Sequence, residues 1–186
     1  MMKSSTLLNS ATAALIVVDL QEAFRSVIPD FALIASRVSI AVRGFQTLGA
    51  PVIVTEQYPK GLGRTAEEVL LSLPDDQTFI TKTSFSSCGA EGFTESLSSG
   101  GVRQVVLCGI ETHICVNQTA QGLLDAGYEV HLLTDCVGSR FEHDKQAGLA
   151  KMFALGALPC SVEMALFEMM KDSKNEHFKE IQALVR

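Results

Sequence analysis

Val105-Val106-Leu107-Cys108-Gly109-Ile110, followed at once by Glu111-Thr112-His113-Ile114-Cys115-Val116, reads as a strand that runs into the start of a helix. The first six residues are apolar without alternation. A short unbroken apolar run rich in β-branched residues fits a strand covered on both faces, as the strands of a parallel sheet are. The strand is expected over 103–109, with Gly109 allowing a tight turn after it. The helix is expected over about 115–126, with Gly127 as its C-terminal stop.

The same unit repeats outward in both directions. Ala13-Ala14-Leu15-Ile16-Val17-Val18-Asp19 is the first strand. A helix over about 31–48 carries Ile34, Val38, Val42 and Phe45 at helical spacing and ends at Gly49. A second strand runs from Pro51 to Thr55. Glu56 to Arg64, with Pro59, Gly61 and Gly63, reads as a surface loop. A short helix near 65–72, a strand at 78–82 and a helix near 90–98 lead to the Ser98-Ser99-Gly100-Gly101 turn. After the central unit come a strand from Glu129 to Thr134, a helix near 143–155, a short strand near 159–162 and C-terminal helices. Strands alternating with amphipathic stretches indicate βα units around a parallel sheet. No linker and no internal repeat divides residues 1–186, so one domain is expected.

Composition narrows the function. The chain has 186 residues, 47% of them hydrophobic, enough for a large core. Its net charge of −6, with scattered Lys and Arg, argues against nucleic acid as a partner. The five cysteines show no C-x-x-C spacing, which argues against a disulfide framework or a zinc ribbon and fits a reducing compartment. Met1 to Leu8 lacks a sustained apolar core, so neither a secretory signal nor a membrane span is expected. The expected location is the cytoplasm, with the mitochondrion as the alternative.

Three strand ends carry reactive side chains. Asp19 closes the first apolar run, Lys82 follows Thr78-Phe79-Ile80-Thr81, and Cys115 opens the helix after the fourth strand. Catalytic groups of open α/β sheets gather at such ends. A carboxylate, an ammonium and a thiol together make an activated cysteine nucleophile. The helix dipole is expected to lower the Cys115 pKa and favour thiolate. Cys88, Cys108, Cys136 and Cys160 are read as small buried residues. Asp19 has an alternative reading as a helix N-cap, and Lys82 as a solvated lysine. His113 is an alternative base for Cys115, though a loop residue shaping the pocket is the plainer reading. Tyr58, Phe85 and His113 are the expected substrate contacts.

Ile16-Val17-Val18-Asp19-Leu20-Gln21, Thr81-Lys82-Thr83-Ser84-Phe85 and Leu107 to Val116 together resemble the isochorismatase-like, nicotinamidase-related cysteine hydrolases, in that family's order. The resemblance implies a three-layer αβα sandwich with a six-stranded parallel sheet of order 3-2-1-4-5-6. It implies an Asp19-Lys82-Cys115 triad, a cis peptide at Ile110–Glu111, and an oxyanion hole from the backbone N–H groups of Glu111 and Cys115. It implies a homo-oligomer, for which Phe167, Met169 and Met170 offer apolar surface. The activity implied is hydrolysis of a small amide, carbamoyl or ester-like substrate, with C–N bonds the first candidates and no cofactor. Metal-binding nicotinamidases carry Asp-x-His after the second strand. Here Thr55-Glu56-Gln57-Tyr58-Pro59-Lys60-Gly61-Leu62-Gly63 has no histidine, so no metal is expected. That stretch resembles the isochorismatase domain-containing branch. The alternatives are a non-catalytic oligomeric scaffold that keeps the triad, and less readily a nuclease or a nicotinamidase.

Overall fold

The computed structural model describes residues 7–186, so the first six residues of the Met1 to Leu8 stretch, read as lacking a secretory signal, lie outside the described residues. The strands are β1 (Ala13–Val18), β2 (Val52–Gln57), β3 (Phe79–Lys82), β4 (Gln104–Ile110), β5 (Glu129–Gly138) and β6 (Leu158–Cys160). They form one parallel sheet in the order β3-β2-β1-β4-β5-β6. The helices are α1 (Phe31–Thr47), α2 (Pro59–Leu62), α3 (Glu67–Leu70), α4 (Phe93–Ser99), α5 (Asn117–Asp125), α6 (Glu142–Ala154), α7 (Val162–Met170) and α8 (Phe178–Leu184).

Every residue of β1 is buried, because helices cover both faces of the sheet. Ala13, Leu15 and Val17 pack with Val38, Phe45, Leu166 and Ile181 of α1, α7 and α8. Ala14, Ile16 and Val18 face the other way, against Phe93 and Leu97 of α4, Leu123 of α5 and Met152 of α6. The side-chain alternation of one strand thus divides the core into two layers. Among the described residues no helix is long and apolar enough to cross a membrane.

Chain order reverses between β1 and β4, and a crevice opens at the carboxyl ends of strands at such a switch point. Val18 pairs with Thr55 on one side and Gly109 on the other. Gly109 therefore lies within β4 and makes no turn after it. Its φ is +111°, and a Cβ there would sit 2.0 Å from the Val18 carbonyl oxygen. Only glycine lets the two central strands approach this closely.

Three further expectations need correction. The supposed loop from Glu56 begins as strand, since Glu56 and Gln57 extend β2 and pair with Thr81 and Lys82. The buried Glu56 carboxylate accepts from Thr65 N and Thr65 Oγ1, both at 2.7 Å, which pins the return of that segment. β5 runs four residues past Thr134, because the register to β4 shifts between Leu107 and Gly109. Its polar interruption, Asp135, is taken up by Arg37 at 2.6 Å. Met169 and Met170 are core residues of α7, and of the expected apolar surface near the C-terminus only Phe167 is exposed.

Candidate active site

β1 ends at Val18, and Asp19 turns the chain with φ of +49°. Asp is among the few residues that tolerate the left-handed region, and non-glycine residues held there cluster at functional sites. The turn sends the carboxylate across the end of the sheet. Asp19 Oδ1 accepts from Thr55 Oγ1 at 2.7 Å, and Oδ2 accepts from Lys82 Nζ at 2.5 Å. Both oxygens are taken, and the short 3₁₀ turn that follows is preceded by Gln21, so Asp19 caps no helix.

Lys82 is the last residue of β3, with a fully buried side chain. Its ammonium also reaches Gln57 Oε1 at 2.7 Å, Phe85 O at 2.9 Å and Ser84 O at 3.1 Å. A buried lysine is tolerated only when paired and hydrogen-bonded in this way. The reading of Lys82 as a solvated surface residue is excluded by its burial.

Cys115 lies in a π-helical turn, Thr112–Val116, between β4 and α5. It is buried, with 8% exposure. Burial pushes the thiol up to about 12, and the Asp19 carboxylate adds to the rise both by its charge and by accepting from the sulfur. The Lys82 ammonium opposes the rise without reversing it. The resting group is a neutral thiol, which corrects the thiolate expected from the helix dipole. Desolvation and a neighbouring carboxylate outweigh the end of a helix that begins with a wide turn.

Asp19 and Cys115 share the wall of a cavity of about 160 Å³ with Gln57, Glu111 and apolar side chains that include Phe24, Leu62 and Ile114. Phe85 lines it as well. The peptide between Ile110 and Glu111 is cis. The Glu111 carboxylate is held by Arg140, through its backbone N at 2.9 Å and its Nε at 3.1 Å. Tyr58 lines a second open groove with Lys60, Lys82 and Glu91, and its N–H donates to Lys82 O at 2.9 Å. His113 is turned away, with Nδ1 3.0 Å from Ser139 Oγ and Nε2 3.9 Å from Asp144, and it borders neither space. The structure therefore brings Asp19, Lys82, Glu111, Cys115 and Phe85 together, sets Tyr58 in a neighbouring groove that Lys82 also lines, and leaves His113 apart.

Thr55, Gln57 and Gln21 escaped the sequence reading. Gln21 Nε2 donates to Gly63 O at 2.7 Å and to Gln57 O at 3.1 Å, and its Oε1 accepts from Gln57 N at 2.8 Å. This amide clamps the end of β2 to the turn after Asp19. Thr55 had one trace in the sequence: it ends the second apolar run as Asp19 ends the first. Among the described residues no group of three or more His, Cys, Asp or Glu side chains is placed to hold a metal.

The isochorismatase domain is matched over residues 13–164. The chain belongs to the isochorismatase family. Isochorismatase domain-containing protein 1 of Salmo salar is 39% identical over 95% of this chain and 62% of its own length. The chain thus spans less than two thirds of that relative. A solved structure described as MAR1 ribonuclease from Caenorhabditis elegans superposes with a TM-score of 0.87 at 37% identity, covering 96% of this chain and 91% of that one. The Escherichia coli YcaC product, described as an octameric hydrolase of unknown specificity, superposes with a TM-score of 0.84 at 22% identity over 99% and 97% of the two chains. The fold of this isochorismatase-family chain is that of these solved structures.

Proposed function

We propose that this protein is a cysteine hydrolase of small amides, carbamoyl compounds or esters, with Asp19, Lys82 and Cys115 as its catalytic residues. The carrying observation is a single carboxylate that is ion-paired to buried Lys82 and shares with Cys115 the wall of a small cavity. Asp19 takes the thiol proton as the sulfur attacks the substrate carbonyl carbon. The N–H groups of Glu111 and Cys115 stabilise the developing oxyanion, at about 3 kcal/mol per donor. The C–N or C–O bond breaks as protonated Asp19 returns its proton to the leaving group. Water, activated by Asp19, then hydrolyses the thioester and restores the thiol. Lys82 stays charged throughout and offsets the negative charge that passes from carboxylate to sulfur to oxygen.

The neutral resting thiol fits this sequence of steps. Charge appears on sulfur only when a substrate carbonyl is present to receive it. The cavity sets the size of the acyl group: a dry cavity of about 150 Å³ takes a benzene-sized molecule. The ribonuclease description of the Caenorhabditis elegans structure offers a second reading. The net charge of −6 and a cavity of this size favour the small substrate. Self-association is also part of the proposal. Leu33, Phe141 and Phe167 are exposed apolar side chains that a second copy would cover, and a monomer mass in light scattering at micromolar concentration would refute it.

The test is a short incubation with p-nitrophenyl acetate and a panel of small amides, followed by intact-mass and peptide analysis. One acyl group per chain on Cys115 is expected, with none on Cys115→Ala. Turnover that survives Cys115→Ala, or acylation elsewhere, refutes the assignment.

A further inference from the structure

Asp19 after β1 and Glu111 after β4 line one cavity with Cys115, Lys82 of β3 is paired with Asp19, and all three bear on the charge of the sulfur. Two are anions and one is a cation. Lys82 is already paired with Asp19, so the Glu111 carboxylate needs a second cation. It is buried, with 5% exposure, and it lines the cavity beside Cys115. Among the described residues its paired cation is Arg140. Arg140 follows β5, and the pairing of Ile110 with Gly138 brings its loop beside Glu111. Its Nε donates to both carboxylate oxygens, at 3.2 and 3.1 Å, and its backbone N donates to Oε2 at 2.9 Å.

Resting on the hydrolase reading above, we propose that Arg140 is a positioning residue that neutralises Glu111 and turns its carboxylate away from the reacting sulfur. With Arg140 the four charges sum to zero. Without it the cavity wall carries one uncompensated negative charge, at the place where the reaction builds another. The Glu111 N–H is then offered to the substrate oxygen beside a carboxylate that repels it. A partner half exposed to solvent suffices, because the charge to be neutralised is the buried one.

The experiment uses the full chain and compares wild type with Arg140→Met, Arg140→Lys, Glu111→Gln and the double variant Glu111→Gln/Arg140→Met. The first readout is the rate of Cys115 alkylation by iodoacetamide at pH 8.5, followed by peptide mass spectrometry. Arg140→Met is expected to slow it about three- to ten-fold, the effect of half to one pH unit on the thiol. The double variant is expected to return to within about two-fold of wild type or above it, since it removes the charge that Arg140 had offset. Arg140→Lys keeps a cation and is expected to stay within about two-fold. Arg140→Met at the wild-type rate, or a double variant no faster than Arg140→Met, overturns the proposal. If Arg140→Met does not fold, Glu111→Gln alone decides: it should speed alkylation, and a rate no higher than wild type overturns the proposal. The second readout is ester turnover, where kcat is expected to fall in Arg140→Met with little change in KM. If wild type shows no Cys115-dependent turnover, the hydrolase reading fails while the alkylation rates still judge Arg140.

Discussion

Replacing Asp19 by Asn should abolish turnover and make Cys115 more reactive at the same time. The two effects share one origin. Asp19 is the proton acceptor in the proposed reaction, and general-base catalysis is worth about 10²–10⁴ in rate. In the resting protein the same carboxylate is one reason that the thiol lies so high, through its charge and its acceptance of the thiol proton. Asn removes the charge and leaves Lys82 as the nearest ion. A like charge at this range moves a pKa by about 1–3 units. The smaller half of that range gives an alkylation rate about 10- to 100-fold higher at pH 8. The fold should survive with a measurable loss. Breaking a buried ion pair by removing one partner costs about 3–5 kcal/mol. Lys82 retains Gln57 Oε1 and two backbone carbonyls, which favours the lower figure. For a domain of this size that is a fall in Tm of about 6–12 °C. The assay follows iodoacetamide labelling of all five cysteines by mass spectrometry, beside ester turnover and thermal unfolding. Cys108, fully buried, reports any loss of structure, because it labels only when the core opens. Asp19→Asn with slower or unchanged Cys115 labelling and Cys108 protected would refute the charge reasoning. Retained turnover would remove Asp19 from the mechanism.

Two further outcomes follow from groups beside the site. The buried thiols Cys108, Cys115, Cys136 and Cys160 are all pushed up by burial, so above pH 9 the unfolded chain loses protons that the native protein keeps. Stability is complete below the unfolded pKa and falls as pH rises beyond it, by about 1.4 kcal/mol per pH unit for each thiol; urea midpoints between pH 9 and 10.5 should fall less steeply in Cys115→Ala, and equal slopes would contradict this. Gly109→Ala should leave no soluble folded protein, because its Cβ meets the Val18 carbonyl, whereas Gly127→Ala, with φ of +86° and open space around it, should cost about 1–2 kcal/mol in chemical denaturation; equal losses would show that the β1–β4 approach is not the constraint.

How much of this was legible in the sequence depends on what each residue has to contrast with. Six apolar residues ending in Asp19 announce both a buried strand and a carboxylate at its end, though whether that carboxylate caps a helix or serves a site is settled only by its partners Thr55 and Lys82. Lys82 and Cys115 stood out similarly at strand ends, and the sheet order came with the resemblance that those motifs carried. Thr55, Gln57 and Gln21 have no such contrast. A neutral polar residue at a strand end is ordinary, and only coordinates show a hydroxyl on Asp19 Oδ1 and an amide on Lys82 Nζ. The extension of β5 was hidden by Thr134 and Asp135, whose polarity mimics a loop until Arg37 and the Cys160 carbonyl are seen to satisfy them. The thiolate expectation failed for a different reason. A helix start is visible in sequence, but the burial around Cys115 is a property of the cavity, and the cavity is assembled from segments far apart in the chain. Motifs can thus name the atoms that meet while leaving their protonation state to the packing. That state bears on the proposed chemistry: a standing thiolate would react with any electrophile that entered, whereas a neutral thiol beside Asp19 passes its proton to that carboxylate only as the sulfur attacks a carbonyl small enough to enter the cavity.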